Sequence, residues 1–153
     1  MYKDKIGIIN HYEASIEWVE SLRKLPEEKW RIQIDKGKWT IVEVIGHLIP
    51  WDEFVLKQRI PYLLKATQLS PSPDAEIINQ KAAKESRNRS KDETIELFVV
   101  IRKSLIEALH DVPDELWTRE NIFNRKNKIS LNNYFLGLIE HDNHHFRQIK
   151  RVL

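Results

Sequence analysis

The sequence predicts an all-α protein: a four-helix bundle with a long crossover between its second and third helices that carries one extra short helix. Three observations predict it. Apolar residues recur at helical three-and-four spacing in four long segments. Val, Ile and Thr seldom alternate with polar residues, and there are only 4 Gly, so strands have little to build on. Capping signals and prolines stand where the four segments begin and end.

The first helix is expected from about Lys5 to Leu25, through Ile8, Ile9, Tyr12, Ile16, Val19 and Leu22, with Pro26 as its stop. The second opens at a capping box, Thr40-x-x-Glu43, and carries Val44, His47, Leu48, Trp51, Val55 and Leu56. Pro50 cannot donate to the Gly46 carbonyl, so a kink is expected beside His47. Ser70-Pro71-Ser72-Pro73 reads as a loop, and a more polar helix follows from about Asp74 to Arg87. A second capping box, Ser90-x-x-Glu93, starts the third long helix, with Ile95, Phe98, Ile101, Leu105 and Leu109 on its apolar side and Pro113 as its end. Residues 118–128 are polar and read as irregular. Ser130 then caps the last helix, which runs through Leu131, Phe135, Leu138, His141, His145, Ile149 and Val152.

A short internal repeat, L-x-x-[LV]-P-[ED]-E-x-W, occurs at Leu22–Trp30 and again at Leu109–Trp117. Each copy ends a long helix and precedes a capped start, which predicts two helix pairs of similar build.

The charge balance excludes some functions. Against 25 basic residues stand 23 acidic ones, interspersed, for a net charge of +2, so neither a nucleic-acid footprint nor a polybasic membrane patch is present. Arg147, Lys150 and Arg151 suit the negative end of the final helix dipole. There is no cysteine, which excludes disulfides, thiolate metal sites and Cys nucleophiles. Met1-Tyr2-Lys3-Asp4-Lys5 leads into polar-interrupted sequence, and no stretch of about 18 apolar residues occurs, so the expected compartment is the cytoplasm.

His141-Asp142-Asn143-His144-His145 lies in the last helix, and residues four apart share a face, so His141 and His145 can aim at one ion. This is the spacing of H-E-x-x-H without its glutamate. His47, on the apolar side of the second helix, is the leading third ligand, because an unpaired ring there would be costly. The plainer reading stays open: a core histidine with a hydrogen bond, and a solvated His pair. His144 is about 60° round the helix from His141 and reads as the edge of the site or solvent-facing. His11 and His110 read as ordinary, Glu43 as the capping partner of Thr40, and Asp52 and Asp142 as groups able to orient a ligand from behind.

The run Gly37-Lys38-Trp39-Thr40-Ile41-Val42-Glu43-Val44-Ile45-Gly46-His47-Leu48, the Pro-acidic-Trp turn and the late His141-Asp142-Asn143-His144-His145-Phe146-Arg147-Gln148-Ile149 together resemble the DinB-like (YfiT-like) metalloenzymes. The similarity extends over nearly the whole chain and implies one domain over residues 1–153, an up-down-down-up bundle. It also implies that His47, His141 and His145 are the ligands of one divalent ion, zinc or nickel. Members with known activity are thiol-dependent, including bacillithiol S-transferases and a mycothiol-dependent maleylpyruvate isomerase. The implied function is thus a metal-dependent thiol transferase or hydrolase acting on a small electrophile, with a low-molecular-weight thiol as a possible cosubstrate and a homodimer as a possible assembly. The alternative is a non-catalytic helical bundle that binds a metal or small molecule. Pro50, three residues after His47, departs from the family pattern.

Overall fold

The computed structural model describes residues 3–65, 69, 71–122 and 128–153. Helix α1 (Lys3–Ser21) runs into a 3₁₀ turn at Leu22–Lys24 and is followed by the one-turn α2 (Glu27–Trp30). Helix α3 (Ile41–Phe54) continues through a π-helical turn at Val55–Arg59 into α4 (Ile60–Leu64). After the crossover come α5 (Ala75–Arg87), α6 (Lys91–His110), a 3₁₀ turn at Asp114–Leu116, and α7 (Leu131–Lys150).

The helix starts follow from side-chain chemistry. Thr40 Oγ1 accepts from the Glu43 amide and the Glu43 carboxylate accepts from the Thr40 amide, a complete capping box. At Ser90 only half of the expected box forms: its hydroxyl accepts from the Glu93 amide, but the Glu93 carboxylate takes the Ser90 hydroxyl proton and not the Ser90 amide. Asp74 and Ser130 cap α5 and α7 in the same way. Pro50 sits inside α3, and the departure from α geometry comes at Val55–Arg59, not beside His47.

The described parts of the stretch expected to be irregular, residues 118–122 and Lys128, contain strand. β1 (Glu120–Ile122) pairs antiparallel with β2 (Lys128–Ser130), Glu120 opposite Ser130, so the backbone entering α7 is satisfied by a ladder. Residues 123–127 of that stretch, and Ser70 of the expected Ser-Pro loop, lie outside the described residues.

Side-chain contacts fix the helix directions. Lys5 near the start of α1 reaches the Val112 carbonyl beyond the end of α6 at 2.7 Å, while Arg23 after α1 reaches Glu96 early in α6 at 3.2 Å; these two helices are antiparallel. Asn132 meets Asp4, and Phe146 packs on Trp18, so α1 and α7 run the same way. Ile41 to Ile49 share one apolar cluster with Ile95 to Val99, and Val55 shares the other with Leu105, so α3 and α6 are parallel. The result is an up-down-down-up bundle in which α5 covers the outside of α3.

The core has two apolar halves. One gathers Val19, Leu22, Trp30, Ile45, Phe98 and Ile149, and the other Ile8, Tyr12, Leu105, Leu109, Trp117 and Phe135. The two repeats close them: Trp30 is fully buried in the first half and Trp117 in the second. Their backbones match as well, with Leu25 N bonding Leu22 O and Val112 N bonding Leu109 O, then Lys29 N bonding Pro26 O and Leu116 N bonding Pro113 O.

Candidate metal centre

Between the apolar halves lies a polar layer to which all four long helices contribute. Arg102 of α6 is 1% exposed, and each of its five N–H donors has an acceptor. Its Nε donates to Asp52 of α3 at 2.8 Å, its Nη1 to Asp142 of α7 at 2.7 Å and to Ser15 of α1 at 2.9 Å, and its Nη2 to Asp142 at 2.9 Å and more weakly to Asp52. The guanidinium also lies over the rings of Tyr12 and Phe98. His11 completes the layer with Nε2 at 2.9 Å from Asp142.

Burial acts to raise both carboxyls, with different net results. Asp142 has the Arg102 charge, reinforced by hydrogen bonds from His11 and Arg102, and is held down at about 2. For Asp52 burial outweighs Arg102 and the carboxyl is pushed up to about 6. Asp52 stands five residues after His47 and Asp142 next to His141. Arg102 therefore ties together the two helices that carry the histidines, which otherwise pack mainly on α5, α6 and α1.

His47, His141 and His145 converge. One ring nitrogen of each lies within 4.8 Å of those of the other two, and among the described residues this is the one such group of His, Asp and Glu. The His47 and His145 ring centroids are 4.6 Å apart, as are those of His141 and His145. Helix α7 supplies its pair one turn apart, and α3 brings His47, only 2% exposed, from the opposite side under Trp39. His47 Nδ1 donates to the Val44 carbonyl, and His145 Nδ1 donates to Gln148 Oε1 at 2.8 Å, so on each ring the Nε2 lone pair is left for the shared space. His145 Nε2 lies 3.2 Å from His141 Nε2.

The donor set fits a divalent cation. Burial above all, then the neighbouring His145, lowers His47 to about 3, and burial likewise lowers His141 and His145. At neutral pH three uncharged imidazoles thus face one point, the protonation state that zinc or nickel requires. A set of three nitrogens also leaves coordination positions to small molecules, as catalytic sites do.

Two cavities flank the triad. One of about 280 Å³ is lined by His47 and His141 with Trp51, Phe54, Asn79 and Leu138. The other, about 250 Å³, lies on the His145 side against Trp39, Lys38, Ile34 and Gln148.

The remaining sequence-read residues fall elsewhere. His144 is exposed, its ring 5.2 Å from that of His145 but outside the converging group. Glu43 caps α3 and pairs with Arg87 of α5 at 2.8 Å. Asp52 and Asp142, which in the sequence read as able to orient a ligand, bond Arg102 and none of the three converging histidines, because both lie on the inward stripe of their helices. His11, which reads as ordinary in the sequence, bonds Asp142, and His110 stands at the α6 C-terminus. Sequence reading missed Arg102. Its signal was present: Ile95, Phe98, Arg102, Leu105 and Leu109 form an unbroken three-four-three-four stripe.

Comparison with known proteins agrees with the architecture. The DinB superfamily profile matches residues 12–149, and the chain belongs to that superfamily. YfiT from Bacillus subtilis, described as "a probable metal-dependent hydrolase with an unusual four-helix bundle topology", superposes with a TM-score of 0.81 at 18% identity, covering 99% of this chain and 87% of its own. An uncharacterized protein from Clostridium difficile gives 0.76 at 14% identity, over 99% of this chain and 96% of its own. A mycothiol-dependent maleylpyruvate isomerase gives 0.64 at 11% identity, over 97% of this chain but 60% of its own. No curated protein sequence matches the chain. Among the described residues no helix is long and apolar enough to cross a membrane.

Proposed function

We propose that His47, His141 and His145 hold one divalent metal ion, zinc or nickel, and that the protein is a metal-dependent enzyme acting on a small electrophile, as a thiol transferase or a hydrolase. The observation that carries this reading is the convergence of three neutral imidazoles, two of them oriented by hydrogen bonds at Nδ1, beside two ligand-sized cavities. When bound, such an ion supplies Lewis acidity and lowers the pKa of a coordinated water or thiol toward neutrality.

The chain's own residues supply the rest. Val44 O and Gln148 fix two rings against rotation, and the Arg102 layer fixes α7 against α3. Trp39 shields His47 from bulk water. The description of YfiT as a metal-dependent hydrolase and the thiol dependence of the maleylpyruvate isomerase support the two reaction types.

The test is elemental analysis of untagged protein beside a His47→Ala, His141→Ala double variant. About one zinc or nickel per wild-type chain, lost in the variant, is expected, and thiol transfer and ester or amide hydrolysis are then screened with that metal. Absence of metal, with none taken up on addition, overturns the reading. Metal uptake without acceleration of either reaction type would instead favour the non-catalytic bundle.

A further inference from the structure

The two cavities beside the triad differ in kind. The one on the His145 side has Lys38 in its wall. The one on the His47 and His141 side has no charged side chain, and apart from those imidazoles its wall is largely aromatic and aliphatic: Trp51 and Phe54 from α3, Tyr134 and Leu138 from α7. These four side chains are only half-buried, although Tyr134 and Leu138 pack against the second apolar half of the core. Apolar surface left partly open beside polar ligands marks a place where a ligand, not the fold, completes the burial.

The wall is also held in place. Trp51 meets Phe54 edge to face at 6.0 Å, and its indole N–H donates to Asn79 Oδ1 at 2.7 Å, which fixes the ring plane. That bond occupies the Asn79 carbonyl. The Asn79 amide NH₂ has no protein partner among the described residues and is the one hydrogen-bond donor that α5 contributes to the wall.

The open cleft has room for a ring. A dry cavity of about 150 Å³ takes a benzene ring. At about 280 Å³ this one takes a single ring with a short substituent.

We propose that this cavity is an aryl subsite: it holds a neutral substrate with one aromatic ring between Trp51, Phe54 and Leu138, its polar head at His47 and His141 and a hydrogen-bond acceptor against Asn79. The inference rests on the metal reading for what happens at the head, but not for the ring.

Two probes separate the two readings. With zinc-loaded protein, benzohydroxamic acid is expected to bind at least tenfold more tightly than acetohydroxamic acid by titration calorimetry, since both chelate zinc but only one carries a ring. In Ala75→Phe, which fills the cavity from an exposed position in the first turn of α5, that ratio falls toward one. Equal affinities in the wild type overturn the aryl subsite and leave the metal centre standing. With metal-free protein, benzamide, which brings a ring and an acceptor to the site but no hydroxamate chelate, is expected to shift the Trp51 indole resonance, assigned with Trp51→Phe, and to lose that effect in Ala75→Phe. If zinc is not taken up, the metal reading fails and this second measurement alone decides the subsite; no Trp51 shift overturns it.

Discussion

Replacing Arg102 by Met should be the most damaging single change in this protein that touches neither a histidine nor an apolar side chain. Arg102 is 1% exposed and makes five charge-assisted or hydroxyl hydrogen bonds; methionine keeps the aliphatic stem and removes all of them. Asp52 and Asp142 then face each other across a buried gap, with only His11 left as a partner for Asp142. Removing one partner of a buried ion pair costs about 3–5 kcal/mol, because the other charge stays behind without compensation. For a chain of this size, where 1 kcal/mol moves Tm by about 2–4 °C, the melting temperature should fall by roughly 6–20 °C. Circular dichroism melts and urea titrations at pH 7 and pH 5 measure it. Without the guanidinium both carboxyls must rise above their unfolded values, so the folded state regains protons as pH falls and the deficit should shrink at pH 5. The triple variant Arg102→Met, Asp52→Asn, Asp142→Asn, which removes the charges as well, should recover much of the loss. A single variant within about 1 kcal/mol of wild type at pH 7 would refute the assignment of a buried charge clamp.

Three further outcomes concern α3 and its cap. A Cβ on Gly46 would stand 1.7 Å from Ser86 Oγ and 2.7 Å from Ser86 Cβ, so Gly46→Ala should cost about 1–3 kcal/mol in urea titration, and Gly46→Ala with Ser86→Gly should recover part of it; strict additivity would show that the α3–α5 contact is not the cause. Thr40→Ala removes the hydroxyl half of the capping box and should lower stability by about 1 kcal/mol, whereas Thr40→Ser should be close to neutral in the same melts. Asp52, pushed up to about 6 chiefly by burial, holds its proton in the folded state where the unfolded carboxyl has lost it, so its contribution is complete below about pH 4 and is lost as pH rises through 6. Asp52→Asn should remove that slope, worth at most about 3 kcal/mol, and an unchanged difference from wild type between pH 4 and pH 7 would contradict it.

Much of the fold is legible along the chain because the signals that carry it are local. Thr40, Asp74, Ser90 and Ser130 each bond an amide three residues on, so the helix starts could be read within a turn. The His141 and His145 pairing follows from the pitch of a single helix. The L-x-x-[LV]-P-[ED]-E-x-W turn specifies its own hydrogen bonds, so both copies adopt it.

What the chain did not disclose are the contacts that join one helix to another. Whether Asp52 and Asp142 point at a histidine or at an arginine depends on which side chain of α6 enters the same layer, and α6 is some 40 to 50 residues away from both. Reading Ile101 as core instead of Arg102 shifted the stripe by one residue, because hydrophobic periodicity gives no weight to a charge that is paid for by two carboxylates from other helices. The partition of the space around the triad into a charged and an uncharged cavity is likewise set in three dimensions, by the segment before α3 that brings Lys38 to one side and by the α5 and α7 side chains that close the other. Local hydrogen bonding and helical pitch are written in neighbouring residues. The meeting of His47 with His141 and His145, and the Arg102 layer that ties their helices, exists only when the four helices pack, since burial creates both the low His47 pKa and the need for every buried charge to find its partner.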